Sequence, residues 1–274
     1  MDFILYEVRD RVAVITLNRP ERRNAQNKQL LVELDQAWDM ATADKQVRVI
    51  VLKANGPHFS AGHDIARDEN YAAKVEEALG DVSQHGLFQL HNWESKYYLG
   101  LCRKWRDVPK PSIAAVQGAC IAAGLMLAWP CDLIVAADNA KFGDPVIRMG
   151  IGGVEYHGHT WEFGARKAKE LLFTASFIGA VEAEKLGMVN RVVPLDQLEE
   201  SAMALANEIA QMHPFALAMA KRAVNQTLDI MGQYAALQAV FDTHQLGHGS
   251  ALAQTGEAVL MGLDGLKPAN RSTT

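Results

Sequence analysis

VQGACIAAGLMLA, residues 116–128, runs from a β-rich segment through a cluster of glycines and alanines into an apolar stretch that reads as a helix. The small residues Ala119, Ala122, Ala123 and Gly124 let a ligand oxygen come close to the main chain. The first turn of a helix also offers backbone N–H groups with no internal partner. A second stretch of the same kind, HFSAGHDI at residues 58–65, follows the β-rich segment 47–52. Two such turns, each supplying one N–H to a single oxygen, make the arrangement that an enolate or tetrahedral oxyanion requires. The residues alone leave another outcome open, in which two tight turns only pack strands onto helices.

Around these turns the chain alternates. Residues 3–6 and 12–17 form β-rich runs across the polar Arg9-Asp10-Arg11, which predicts a hairpin. Leu30, Leu31, Leu34 and Trp38 recur at helical spacing. Further strands are predicted at 113–116, 133–136 and 191–193, with helical patterns between them. In the long segment 66–108, Tyr97, Leu101 and Trp105 share one helical face, which reads as core packing. After Leu195 the strands stop, and 198–212, 216–228 and 231–246 read as helices rich in Ala, Leu and Gln. The expectation is an α/β core over residues 1–195, followed by a helical region over 196–274.

Composition narrows the function classes. Of 274 residues, 49% are hydrophobic, enough for a substantial core, and the formal charge of −5 gives no general basic field for nucleic acid or an anionic membrane. Cys102, Cys120 and Cys131 form no C-x-x-C pair and read as buried thiols in a reducing compartment. The start, MDFILYEVRDR, lacks a signal-peptide pattern, and the apolar region 113–137 is interrupted by Gly118, Gly124, Pro130 and Asp132. A cytoplasmic protein is expected. Gly150-Ile151-Gly152-Gly153 lacks the third glycine of a dinucleotide loop, and no phosphate-binding P-loop or nucleophile elbow is present. His157-Gly158-His159 offers two imidazoles without a third ligand at a matching interval, so no metal is expected.

Several ordered blocks carry a further signal: ITLNRPERRNA (15–25), FSAGHDI (59–65), PKPSIAAVQG (109–118), CDLIVAADNAKFG (131–143) and ASFIGAVEAEKLGMVNRVVP (175–194). Together they resemble the crotonase superfamily, the enoyl-CoA hydratase/isomerase family, from Val12 to about Lys267. The resemblance implies an α/β spiral of ββα units, with C-terminal helices used for trimerisation and a homotrimer or hexamer as the assembly. It implies an enzyme that takes an acyl-CoA substrate, with coenzyme A arriving as part of that substrate and no other cofactor. It assigns the oxyanion donors to the backbone N–H groups of His63 and Ala123. It also implies that coenzyme A lies along Arg23, Ala25, Ala61, Asp64 and Ile65.

One departure matters for chemistry. Where the family's hydratases carry two glutamates, this chain has Met126 and Val146, and neither side chain can activate water or deliver a proton. Nearby replacements are Glu155 first, then His157 and Asp144, with His159 behind them. Burial against Val146, Met149 and Val154 would raise a carboxylate toward proton-transfer range. The expectation is therefore enolate chemistry on a thioester without the usual hydratase pair. The rivals are a decarboxylase or hydrolase of the same fold, and a non-catalytic CoA-binding protein.

Overall fold

The computed structural model describes residues 1–66, 76 and 86–260. The hairpin forms as expected, with β1 (Ile4–Arg9) antiparallel to β2 (Val12–Leu17). Next comes α1 (Lys28–Ala43), whose first turn is capped by the Asn27 carboxamide oxygen accepting from the Leu30 N–H at 2.9 Å. Such a cap contributes about 1 kcal/mol. Strand β3 (Val49–Ala54) lies parallel to β2. After it, α2 (Leu87–Glu94), a π-helical turn (Ser95–Gly100) and α3 (Leu101–Arg106) form one nearly continuous helical stretch. Trp105 there is buried and stacks on Trp38, and Tyr97 and Leu101 pack on the same core. The core role expected for that face holds, while residues 67–75 and 77–85 of the 66–108 segment lie outside the described residues.

Strands β4 (Ser112–Val116), β6 (Leu133–Ala137) and β9 (Arg191–Val193) complete a six-stranded sheet in the order β1-β2-β3-β4-β6-β9, parallel beyond the hairpin. Its strands alternate between two cores. Ile15, Leu17, Ile50 and Leu52 face the larger cluster, with Leu34 and Trp38 of α1. Val12, Val14, Val49 and Val51 face the smaller one. Because both faces are covered, the strands read as unbroken apolar runs, which is why they were legible.

A second sheet was not. Strands β5 (Ala119–Ile121), β7 (Lys141–Gly143) and β8 (Phe177–Gly179) make a three-stranded sheet in that order. Each is only three residues long, too short for alternation to show. The expected helix after residue 119 is corrected accordingly. The chain runs through β5 and a 3₁₀ turn (Ala122–Gly124) into a single turn, α4 (Leu125–Ala128).

Helix α5 (His159–Thr174) is interrupted at Gly164, and α6 (Ala180–Leu186) leads to β9. The helical region then comprises α7 (Leu198–Ala210), α8 (Pro214–Ile230) and α9 (Gln233–Thr255). Helix α7 covers the second face of the large sheet through Leu198, Ala202, Leu205, Ala206 and Ala210. By packing it belongs with the strands rather than with the helices after it. Helix α8 buries no residue at all. Among the described residues, no helix is long and apolar enough to cross a membrane. The three cysteines are buried and unpaired, and burial raises all three thiols.

Candidate active site

The two glycine-rich turns lie side by side. Gln117 O accepts from the Phe59 N–H at 2.8 Å, Ala119 O from the Ser60 N–H at 3.0 Å, and Ser60 O from the Ile121 N–H at 3.1 Å. Gly118, at φ +55°, permits this approach, since a Cβ there would stand 2.0 Å from the Pro57 carbonyl oxygen. A Cβ on Gly124 would come within 2.5 Å of Ser60 O, and one on Gly62 within 3.3 Å of Ala123 N. The clasp therefore brings the 58–65 turn against the Ala123 amide.

Backbone pairing then leaves two N–H groups over. Gln26 pairs with the His63 stretch through the Gly62 carbonyl and the Asp64 N–H, both at 2.8 Å. In a parallel bridge this turns the His63 N–H to the opposite side. Ala123 is the second residue of its 3₁₀ turn, ahead of the first N–H that can bond within the turn. Its carbonyl is held by Gln26 Nε2 at 2.8 Å. Ala122 sits at φ +51°, a left-handed conformation costing a non-glycine residue about 1 kcal/mol. Strain held at such a point is a mark of functional geometry.

A cavity of about 500 Å³ opens beside these turns. All five residues expected to bind coenzyme A, namely Arg23, Ala25, Ala61, Asp64 and Ile65, line it, as does His63. The side chain of Asp64 has a structural role. Its carboxylate is buried and paired with Arg19 at 2.7 Å and Arg22 at 3.4 Å, so it latches the 20–25 turn to the 58–65 turn. Arg23 and Asn24 both adopt positive φ in that turn, and Asn24 Nδ2 donates to the carbonyls of Asn55 and His58.

A cluster of buried ionisable groups also lines the cavity. Glu155 Oε1 lies 3.1 Å from His63 Nε2, and the His63 ring stacks on Tyr98 at 3.8 Å between centroids. Behind Glu155 come Glu94 from α2 and His244 and His248 from α9, all buried and all lining the cavity. His244 Nε2 is 3.7 Å from Glu155 and 3.4 Å from Glu94, and His248 Nε2 is 3.4 Å from Glu94. Burial works against charge on His244, but Glu155 and Glu94 outweigh it and push its pKa up to about 9. Burial would raise the Glu94 carboxyl, yet His244 and His248 hold it well below the usual carboxylate range.

Of the three proton-transfer candidates, only Glu155 reaches the cavity. Asp144 is corrected to a supporting role: its carboxylate accepts from the Val154 N–H at 2.9 Å and the Val146 N–H at 3.4 Å, and Oδ2 lies 3.0 Å from His159 Nε2. His157 bonds Thr160 Oγ1 at 3.1 Å away from the cavity wall, and burial, followed by His159, lowers its pKa to about 4. Met126 is buried in the main core, whereas Val146 faces the cavity. The sequence reading missed Gln26, Glu94, Tyr98, His244 and His248. The available signal was H-x-x-x-H at 244–248, a spacing that sets two imidazoles on one helical face.

The model of the family described as enoyl-CoA hydratase/isomerase matches residues 7–257. The chain belongs to the enoyl-CoA hydratase/isomerase family. A solved structure described as a probable enoyl-CoA hydratase from Mycobacterium smegmatis is 57% identical, with a TM-score of 0.88, covering 95% of this chain and 100% of that one. EchA13 of Mycobacterium tuberculosis, which carries an enoyl-CoA hydratase name, is 46% identical over 90% of this chain and 81% of its own length. The crotonyl-CoA hydratase of Syntrophomonas wolfei is 33% identical over 81% of both. These relatives identify the protein as an enzyme of that family with the crotonase fold.

Proposed function

We propose that the protein binds an acyl-CoA thioester and forms its enolate, with the thioester oxygen on the N–H groups of His63 and Ala123 and the proton carried by Glu155. One observation carries this reading. A single cavity is lined by Arg23, Ala25 and Ala61 together with Glu155, whose carboxylate lies 3.1 Å from the ring of His63. His63 then serves twice, donating from its main chain and orienting the base with its ring.

The chemistry balances without a further reactant. The Glu155 carboxylate takes the α-proton, and the electron pair of that C–H bond moves onto the thioester oxygen. Return of the proton from Glu155 to the α-carbon regenerates the enzyme. Where the acyl group carries a β,γ double bond the enolate extends to the γ-carbon, and return of the proton there moves that double bond into conjugation with the thioester. Hydration by a pair of glutamates is not available, because Val146 occupies the cavity-facing position and Met126 lies in the core. Crotonyl-CoA hydration should therefore run on the order of a hundred- to ten-thousand-fold below a two-glutamate hydratase.

The test is a panel of enoyl-, malonyl- and β-ketoacyl-CoA esters read by mass spectrometry, with Ala123→Pro beside the unaltered protein. Proline deletes the N–H, so turnover of any substrate found should be lost. Full activity in a folded Ala123→Pro protein would sink the oxyanion assignment.

The assembly is proposed to be a homotrimer or a hexamer of two trimers. Phe215, Val224, Ile230 and Met231 are exposed on and just after α8, none of whose residues is buried as a whole among the described residues. So many exposed apolar side chains on one element support cover by another subunit. Light scattering should give a mass of at least three chains, and a stable monomer would contradict it.

A further inference from the structure

His244 and His248 sit four residues apart on α9 and present their Nε2 atoms to each other at 2.9 Å. The other ring nitrogen of each faces a backbone carbonyl, His244 Nδ1 at 2.6 Å from Gly153 O and His248 Nδ1 at 2.5 Å from Ala258 O. A carbonyl oxygen only accepts, so both Nδ1 atoms carry the proton. With both rings neutral the two Nε2 lone pairs would face one another, so the contact needs a positive charge between them, supplied either by a proton on one ring or by a metal cation. Glu94 faces both rings, with Oε2 3.4 Å from His244 Nε2 and Oε1 3.4 Å from His248 Nε2, and Gln245 Nε2 donates to Oε2.

We propose that Glu94, His244 and His248 form a binding site for a divalent first-row transition ion of the zinc class, at the inner end of the cavity. The three ligand atoms lie within 4.8 Å of one another. Separations of 2.9 and 3.4 Å match the edges of a polyhedron with metal–ligand bonds near about 2.1 Å. Carbonyl acceptors on both Nδ1–H groups and an amide donor on the carboxylate are the outer contacts that orient metal ligands. Two imidazoles and a carboxylate suit zinc, cobalt or iron(II) over magnesium or calcium, which prefer all-oxygen sites. All three residues line the cavity, so a bound ion would keep a face open to ligand. Glu155, 3.7 Å from His244 Nε2, stands at its edge.

The test uses chelator-treated full-length protein titrated with cobalt(II) and followed by its visible d–d absorption. The expected result is one saturating equivalent per chain, with affinity falling by at least about a hundredfold in His248→Ala and Glu94→Gln and unchanged in His157→Ala. If a variant does not fold, X-ray absorption of the zinc-loaded unaltered protein supplies the same answer and should show two imidazoles in the first coordination sphere. Absence of saturable binding at micromolar cobalt would leave the histidines sharing a proton and overturn the site. Loss of binding in His157→Ala alone, or a zinc sphere without two imidazoles, would overturn it as well. None of these readouts needs a thioester, so their failure leaves the acyl-CoA proposal standing.

Discussion

The two walls of the cavity are built by different means. The wall at residues 58–65 and 119–124 is made of main chain, and its geometry is set by glycines whose missing Cβ atoms let one turn rest on the other. The opposite wall is made of side chains from α2, the loop before α5, and α9, with Glu94 and His248 separated by more than a hundred and fifty residues of sequence. A main-chain wall tolerates changes of side chain, because the groups it would offer a ligand, such as the amide of Ala123, belong to the backbone. A side-chain wall changes its chemistry with each replacement, as Val146 and Glu155 illustrate.

The largest effect should come from the side-chain wall. Glu155→Gln keeps the shape but removes the proposed base, and turnover should fall by about a hundred- to ten-thousand-fold with KM little changed. A loss confined to KM in steady-state kinetics would instead make Glu155 a binding residue. On the main-chain wall, Gly124→Ala forces a Cβ to within 2.5 Å of Ser60 O, and the two turns must part. Misaligning a single oxyanion donor costs on the order of a hundredfold in turnover. Unchanged kinetics would mean the clasp serves packing alone.

The two positions where hydratases keep glutamates should also separate. Val146→Glu puts a carboxylate on the cavity wall and should raise crotonyl-CoA hydration with little loss of stability. Met126→Glu puts one among Cys102, Leu125 and their neighbours in the core and should lower stability by about 3 kcal/mol or more in urea titrations. Equal stability of the two variants would show that residue 126 also reaches the cavity. The smallest effect concerns His157, whose burial lowers its pKa to about 4 from the usual imidazole value of about 6.5. The unfolded chain then binds the extra proton first, so stability falls as pH drops from about 6.5 to 4, by roughly 2–3 kcal/mol. His157→Gln should flatten that part of the stability curve.

The same contrast explains what the sequence disclosed. The large sheet was legible because buried strands carry unbroken apolar runs, as at 12–15 and 49–52. The main-chain wall was legible because glycine positions are local marks of close approach. Strands β5, β7 and β8 were hidden by their length, and His244, His248 and Glu94 by distance, since nothing local to α9 tells that α2 will lie against it. Asp144 was overvalued for the opposite reason: it neighbours a functional position in sequence, but its carboxylate is taken up by the N–H groups of Val146 and Val154.

The central claim is that one cavity joins an oxyanion-binding main chain to a carboxylate base. Exchange of the α-protons of an unreactive thioester, butyryl-CoA in deuterium oxide followed by proton NMR, measures enolate formation without requiring the natural substrate. The account predicts exchange catalysed well above the rate in buffer, lost in Glu155→Gln and in folded Ala123→Pro alike. No exchange in the unaltered protein despite saturable binding of the thioester, or exchange untouched by both substitutions, would contradict it.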